Sequence, residues 1–223
     1  GSDRDDLARL RRLVNLLRLP KKTMPRVEEA IVSEYFEQNG FLVRPLRKSR
    51  AQAKKGSDEG LDLYVRNMVF RKGSRDPNFL LFSSELRYLE SAIVCVRGWF
   101  GDKAALASMS SGAEILKHLE AFVLKKVEKW FAYDPTVTFG TEQLPKKILV
   151  APAFPAQEPY RSQCVELLRG KGVDGIVSFR SMALDLIDRV DTKQVYAKSD
   201  LLQTLRILKN FDLVKDSQMN LLG

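Results

Sequence analysis

Apolar and polar residues along the chain alternate between a helical and an extended period. Helical spacing of the apolar positions predicts helices at residues 24–38, 112–130, 160–169, 181–190 and 199–210. Short apolar or alternating runs predict strands at residues 41–44, 61–67, 79–82, 93–96, 147–151 and 174–179. Residues 84–90 fit either a loop or a short helix. The order helix–strand–strand–strand–helix–strand–helix–strand predicts a mixed α/β fold.

The second half of the chain alternates strands with helices, which implies parallel strands joined by right-handed crossovers. The near-continuous apolar run from Ile93 to Val96 is typical of a central strand that is covered on both faces. We therefore expect a mixed central sheet flanked by helices. The expected parts are a basic amphipathic helix (3–22), an α/β core (23–190) and a C-terminal helical extension (191–223).

The first of these parts contains the segment LARLRRLVNLLRL at residues 7–19. Its leucines recur at helical spacing, and its arginines lie mostly off that stripe. Pro20 ends the predicted helix. The pattern fits an extra helix packed on the core, an oligomer contact, or a basic helix for a polyanionic surface.

Positive charge is in excess and clustered. The 223 residues include 37 Lys and Arg against 28 Asp and Glu, a formal net charge of +9. Neither residues 7–27 nor residues 44–55 contain an acidic side chain, and such blocks attract polyanions without sequence preference. An alternative for residues 45–57 is a solvated, mobile loop. The candidates for nucleic-acid binding are Arg44, Arg47, Lys48, Arg50, Lys54, Lys55, Arg66 and Arg97.

Several classes of protein are disfavoured by what the chain lacks. No run of about 18 uncharged apolar residues is present, so we expect no membrane span. Two Cys and one His cannot form an ordinary structural zinc site. Cys95 and Cys164 lie in apolar patterns, which predicts buried free thiols and a reducing, intracellular compartment. Without a glycine-rich phosphate-binding motif, no nucleotide cofactor is expected.

Several stretches together suggest a known fold. Residues 26–45 form a helix-and-strand pattern with acidic residues on the helix, and residues 148–179 form a strand–helix–strand pattern. Between them, Asp62 lies in GLDLYVRN, and a later apolar strand ends in VCVRGW. Over about residues 26–190, this order resembles the restriction-endonuclease-like fold, the PD-(D/E)xK superfamily. The resemblance implies that Asp62 corresponds to the family's metal-binding Asp.

The same resemblance places Cys95 and Arg97 where the family has Glu and Lys. A soft thiol is a poor ligand for the hard Mg²⁺ ion, so Cys95 cannot replace the glutamate. Arg97 stays charged at ordinary pH and cannot accept a proton, although its guanidinium could bind a phosphate oxygen bidentately. We therefore expect no cofactor, and Mg²⁺ with Asp62 as a ligand only if the chain is a nuclease.

A nuclease would need a carboxylate from elsewhere in the chain. The candidates are Glu28, Glu29, Glu85, Glu90 and Glu114. With Asp62, the glutamates Glu28, Glu29 and Glu114 are the catalytic candidates. The lone histidine, His118, lies mid-helix and is expected to be a packing or surface residue.

Three functions are consistent with these features. The first is a non-catalytic nucleic-acid-binding module on a degenerate nuclease-like fold. The second is a protein-interaction or scaffold domain of a larger complex, in which the basic segments contact an acidic partner. The third is a Mg²⁺-dependent nuclease with a relocated carboxylate.

Overall fold

The computed structural model describes residues 27–46, 60–71, 75–97, 111–133, 144–152 and 154–214. The helices in this part of the chain are α1 (Val27–Gln38), α2 (Ser83–Leu86), α3 (Gly112–His118), α4 (Val127–Trp130), α5 (Tyr160–Gly170), α6 (Phe179–Arg189) and α7 (Asp200–Asn210). The strands are β1 (Phe41–Leu46), β2 (Gly60–Asn67), β3 (Ser91–Arg97), β4 (Lys146–Ala151) and β5 (Gly175–Ser178). The helix predicted within 3–22 lies outside the described residues, as do Arg47, Lys48, Arg50, Lys54 and Lys55.

The five strands form one mixed sheet in the order β1-β2-β3-β4-β5. The first three strands pair antiparallel, and β3, β4 and β5 pair parallel. The predicted α/β class, with a mixed central sheet and helices around it, is confirmed. The parallel second half is confirmed as well, since β3, β4 and β5 pair parallel and each crossover between them contains helical segments.

Alternate residues of each strand point to opposite faces of the sheet, and the two faces bury different side chains. Face A carries Leu63, Val65, Ala92, Val94, Val96, Ile148, Val150 and Val177. Face B carries Leu46, Asp62, Tyr64, Ile93, Cys95, Leu149 and Ile176. Asp62 is thus the one strand carboxylate among these core positions, and it belongs to face B.

Helices from the two ends of the described chain cover face A. They contribute the buried residues Val32, Tyr35 and Phe36 from α1, Met182 and Leu186 from α6, and Leu202 from α7. Helix α7 falls in the predicted C-terminal extension, yet its Leu202 lies in the same apolar cluster as α1. Face B is covered by the segment from α3 to α4 and by α5.

The helix predicted over residues 112–130 is interrupted. Residues Leu119–Val123 form a π-helical stretch between α3 and α4, and the amide of Leu124 donates to the carbonyl of Leu119 at 3.0 Å. The buried side chains Leu119, Val123 and Val127 are spaced four apart, which exceeds the 3.6-residue period of an α-helix. The wider turn lets all three face the sheet.

The strand predicted over 79–82 is replaced by a single bridge. Leu80 pairs parallel with Ile176, and the amide of Leu81 donates to the carbonyl of Ile176 at 2.9 Å. The connection from β2 to β3 therefore passes along the outer edge of β5. This contact covers an edge that would otherwise present unpaired backbone groups.

Both cysteines are buried free thiols, as predicted. Burial, with a smaller effect from Glu120, raises the pKa of Cys164 to about 11. That thiol stays protonated near neutral pH and behaves as a small apolar group. No helix in the described part of the chain is long and apolar enough to cross a membrane.

Candidate nucleic-acid interface

Asp62 lies on β2 within face B, and only 4% of its surface is exposed. The strand register pairs it with Leu46 on one side and with Cys95 on the other. Its Oδ2 atom accepts a hydrogen bond from the hydroxyl of Tyr133 at 2.5 Å. A buried carboxylate needs such a donor, because leaving it unsatisfied would cost about 1–3 kcal/mol or more.

Tyr133 reaches Asp62 from the end of the helical segment that covers face B. Trp130 and Phe131 are buried in the same cluster as Cys95, so they hold the end of α4 against the sheet. The chain then turns, and the partly buried ring of Tyr133 packs at the margin of that cluster. Sequence periodicity gave no sign of this residue, because it lies beyond the helix and 71 positions from its partner.

The residue opposite Asp62 on β3 is the buried Cys95. This position therefore carries a thiol and not a second carboxylate. Arg97 pairs with Gly60 and holds the next face B position along β3. The structure therefore brings Asp62, Cys95 and the Arg97 position to the same end of the same face.

Two further predicted cations lie on face B. Arg44 is paired across the strands with Tyr64, and its guanidinium carbon lies 5.5 Å from the centre of the Tyr64 ring. Arg66 follows Tyr64 on this face, and both arginines are exposed. Arg66 lies four positions along the strand from Asp62, a distance of about 13 Å. The arginines thus form a row along the sheet with Asp62 toward one end.

The predicted glutamates are not gathered around Asp62. Glu28 and Glu29 lie in the first turn of α1, which packs on face A, whereas Asp62 belongs to face B. Glu114 caps its own helix: its carboxylate accepts from the amide and hydroxyl of Ser111, both at 3.2 Å. That reciprocal arrangement stabilises the start of α3.

Glu85 and Glu90 lie near the beginning of β3, at the far end of the sheet from Asp62. The buried carboxylate of Glu85 accepts from Arg75 at 2.7 Å and from the amide of Asn78 at 2.9 Å. The hydrogen bond from Arg75, and to a smaller extent that from Asn78, holds the pKa of Glu85 below its usual value. Glu90 is exposed, and its carbonyl accepts from the amide of Asn67. Both side chains therefore lie away from Asp62.

The basic segment 47–59 is joined to this site at both ends. Strand β1 ends at Leu46, which pairs with Asp62, and β2 begins at Gly60, which pairs with Arg97. The segment therefore leaves and rejoins the sheet at the end that carries Asp62. Five of the predicted cations belong to it, namely Arg47, Lys48, Arg50, Lys54 and Lys55.

The exposed arginines of face B are groups that can bind a phosphodiester. In the described ranges, no three His, Cys, Asp or Glu side chains are grouped as metal ligands. Arginines can hold phosphate oxygens through paired N–H donors, but they do not activate water. Comparisons with protein-family models, curated proteins and solved structures found no match for this chain.

Proposed function

We propose that this protein is a non-catalytic nucleic-acid-binding module built on a degenerate restriction-endonuclease-like core. The order of its elements supports that core, since α1, three strands, a helical crossover and a parallel strand follow one another as the sequence resemblance implies. Asp62 on β2 and Cys95 with Arg97 on β3 then correspond to the family's active-site positions.

The observation that carries the proposal is the surroundings of Asp62. Its carboxylate is buried opposite a thiol and hydrogen-bonded to Tyr133, while cations occupy the same face and the adjoining basic segment. A metal-dependent nuclease needs several oxygen ligands around its ion. A phosphate-binding surface needs exposed cations, which Arg44 and Arg66 supply.

The test is fluorescence anisotropy with labelled DNA and RNA, single- and double-stranded, from about 50 to 200 mM salt. We expect binding that weakens steeply with salt and probes that stay intact with Mg²⁺. The double variant Arg44→Glu, Arg66→Glu should bind about tenfold more weakly or worse, since two favourable contacts become repulsive. The control Lys193→Glu reverses an exposed charge in the loop after α6, which packs on face A.

Absence of binding at the lowest salt would refute the proposal. Cleavage that requires Mg²⁺ and is lost in Asp62→Ala would replace it with the nuclease alternative. Equal losses in Lys193→Glu and the double variant would show that net charge, and not face B, determines binding.

A protein-interaction domain is the second candidate, and one feature favours it. A cavity of about 590 Å³ opens between α5 and the segment from α3 to α4, and Leu116, Leu124 and Leu167 are among its lining residues. An amphipathic helix of a partner could fit such a groove. Partner binding that persists without nucleic acid and is lost in Leu124→Arg would support this function.

A further inference from the structure

The helical segment over face B has two exposed flanks of different character. The flank toward α5 carries Leu116, Glu120 and Leu124, which line the cavity shared with α5. Farther along this flank, Glu128 forms an ion pair with Lys171, just after α5, at 3.1 Å. This flank is mixed in charge and partnered by a neighbouring helix.

The opposite flank is basic and aromatic. In this segment His118, Phe122 and Lys126 recur every four residues, offset by two from the row Leu116, Glu120 and Leu124, and Lys129 follows in α4. With about four residues per turn, that offset places the two rows on opposite sides of the segment. The rings of His118 and Phe122 are tilted by 36° with their centroids 5.0 Å apart. Phe122 is 59% exposed, although the buried side of the same segment places Leu119 and Val123 against the sheet. We call His118, Phe122, Lys126 and Lys129 the wall.

By topology, the wall lies on the side of the segment nearer β2. The segment from α3 to α4 belongs to the crossover between β3 and β4, and α5 to the crossover between β4 and β5. A flank turned away from α5 therefore faces the antiparallel half of the sheet. The contact between Tyr133 and Asp62 shows that the end of this segment reaches β2.

The antiparallel half of face B offers matching groups. Leu42, Arg44, Tyr64 and Arg66 occupy neighbouring face B positions, since Leu42 pairs with Arg66 and Arg44 with Tyr64. Leu42 is 60% exposed, and both arginines are exposed. We call these four residues the floor.

We infer that the floor and the wall together bind single-stranded nucleic acid. This inference depends on the proposed function and specifies its ligand. The four cations Arg44, Arg66, Lys126 and Lys129 attract successive phosphates, and the ring of Phe122 offers a stacking surface to an unpaired base. A duplex keeps its base faces stacked inside, so it can use the cations but not the exposed ring.

The sharpest test is Phe122→Ala in the full chain, measured with single- and double-stranded probes of the same length. We expect about tenfold weaker binding of the single strand, since one stacked base contributes about 1–3 kcal/mol, and less than about twofold change for the duplex. Phe211→Ala is the matched control, because Phe211 is 72% exposed but follows α7 on the face A side. It should leave both probes unaffected.

The cations are tested separately. Lys126→Ala with Lys129→Ala should lower the slope of log affinity against log salt by about two for the single strand, roughly one for each lost phosphate contact. Neutral alanines remove contacts without adding repulsion, so the slope reports contacts directly.

The outcomes separate this inference from the proposed function. If both probes bind and Phe122→Ala weakens neither, or weakens both equally, the single-strand site is refuted while the binding module stands. If the alanine pair leaves the salt slope unchanged, the wall is not a phosphate contact and the inference fails. If no probe binds the wild-type chain, the proposed function fails first.

Discussion

The two faces of the sheet bury apolar side chains to a similar degree but differ in what they expose. Face A is closed by α1, α6 and α7, and the polar Asn67 buried at its margin donates to the backbone carbonyl of Leu86. Face B is closed over its parallel half, and toward β1 it exposes Arg44 and Arg66 beside the buried Asp62. The difference indicates that face A serves stability, whereas face B combines packing with groups that can contact a ligand.

The largest expected effect comes from removing an aromatic ring on face A. Phe36→Ala empties a fully buried site between two edge-on aromatic neighbours, Tyr35 and Phe41. We expect the free energy of unfolding to fall by about 3–5 kcal/mol. The same substitution at the exposed Phe122 should change it by less than about 0.5 kcal/mol.

Urea denaturation of both variants measures this contrast. Similar losses at Phe36 and Phe122 would remove the distinction between a packing face and a binding face. A small loss at Phe122 would also show that Phe122→Ala is folded, which the nucleic-acid experiment requires.

A smaller effect is expected at the polar contact on face B. Tyr133→Phe keeps the ring but deprives the buried Asp62 carboxylate of a hydrogen-bond donor. The free energy of unfolding should fall by about 1–3 kcal/mol. Tyr160→Phe is the control, because it also removes a tyrosine hydroxyl but does so away from Asp62. The substitution keeps the ring, which packs beside Gly112. Equal stability of the two variants would mean that the Tyr133 contact does not stabilise face B.

The smallest effect concerns acid sensitivity at Glu85, at the far end of the sheet from Asp62. Its pKa is lowered in the folded chain by Arg75 and the Asn78 amide, so its contribution to stability is complete above the ordinary glutamate pKa of about 4.3. That contribution is lost as the pH falls through the lowered folded pKa. Wild type should therefore be more stable than Glu85→Gln at pH 6, and the two should converge toward pH 3.

Urea denaturation at intervals between these pH values gives the difference directly. Glu90→Gln serves as control, since it removes a nearby exposed carboxylate and leaves the contact between Arg75 and Glu85 in place. A difference between wild type and Glu85→Gln that stays constant with pH would contradict the assignment.

Most of the fold could be predicted from local patterns. Alternation over residues 61–67 and the apolar run at 93–96 located β2 and β3, and Ser199 located the start of α7. Helix α6 starts earlier than the predicted residue 181, because Ser178 and not Ser181 is its cap. The break in the helix at 112–130 was missed, because the spacing of Leu119, Val123 and Val127 also fits an amphipathic α-helix within the tolerance of the pattern. The π-helical turn depends on the sheet beneath it.

Less of the candidate site could be predicted. The pairing of Asp62 with Cys95 was suggested by the resemblance, but Tyr133 and Phe122 were not selected, since their roles depend on contacts between distant segments. The positions of the acidic candidates also depend on contacts between distant segments. The resemblance suggested Glu28, Glu29 and Glu114 as carboxylates near the right elements, yet only the assembled sheet shows which face each helix covers.

The bridge between Leu80 and Ile176 has a consequence for how the chain is assembled during translation. The two residues are about a hundred positions apart, so the second must be synthesised long after the first has left the ribosome. Until β5 exists, the apolar residues Phe79 and Leu81 have no partner strand to lie against. We expect this edge to form in a late step. A nascent chain stopped before β5 should therefore expose the apolar segment with Phe79 and Leu81, which chaperones can bind.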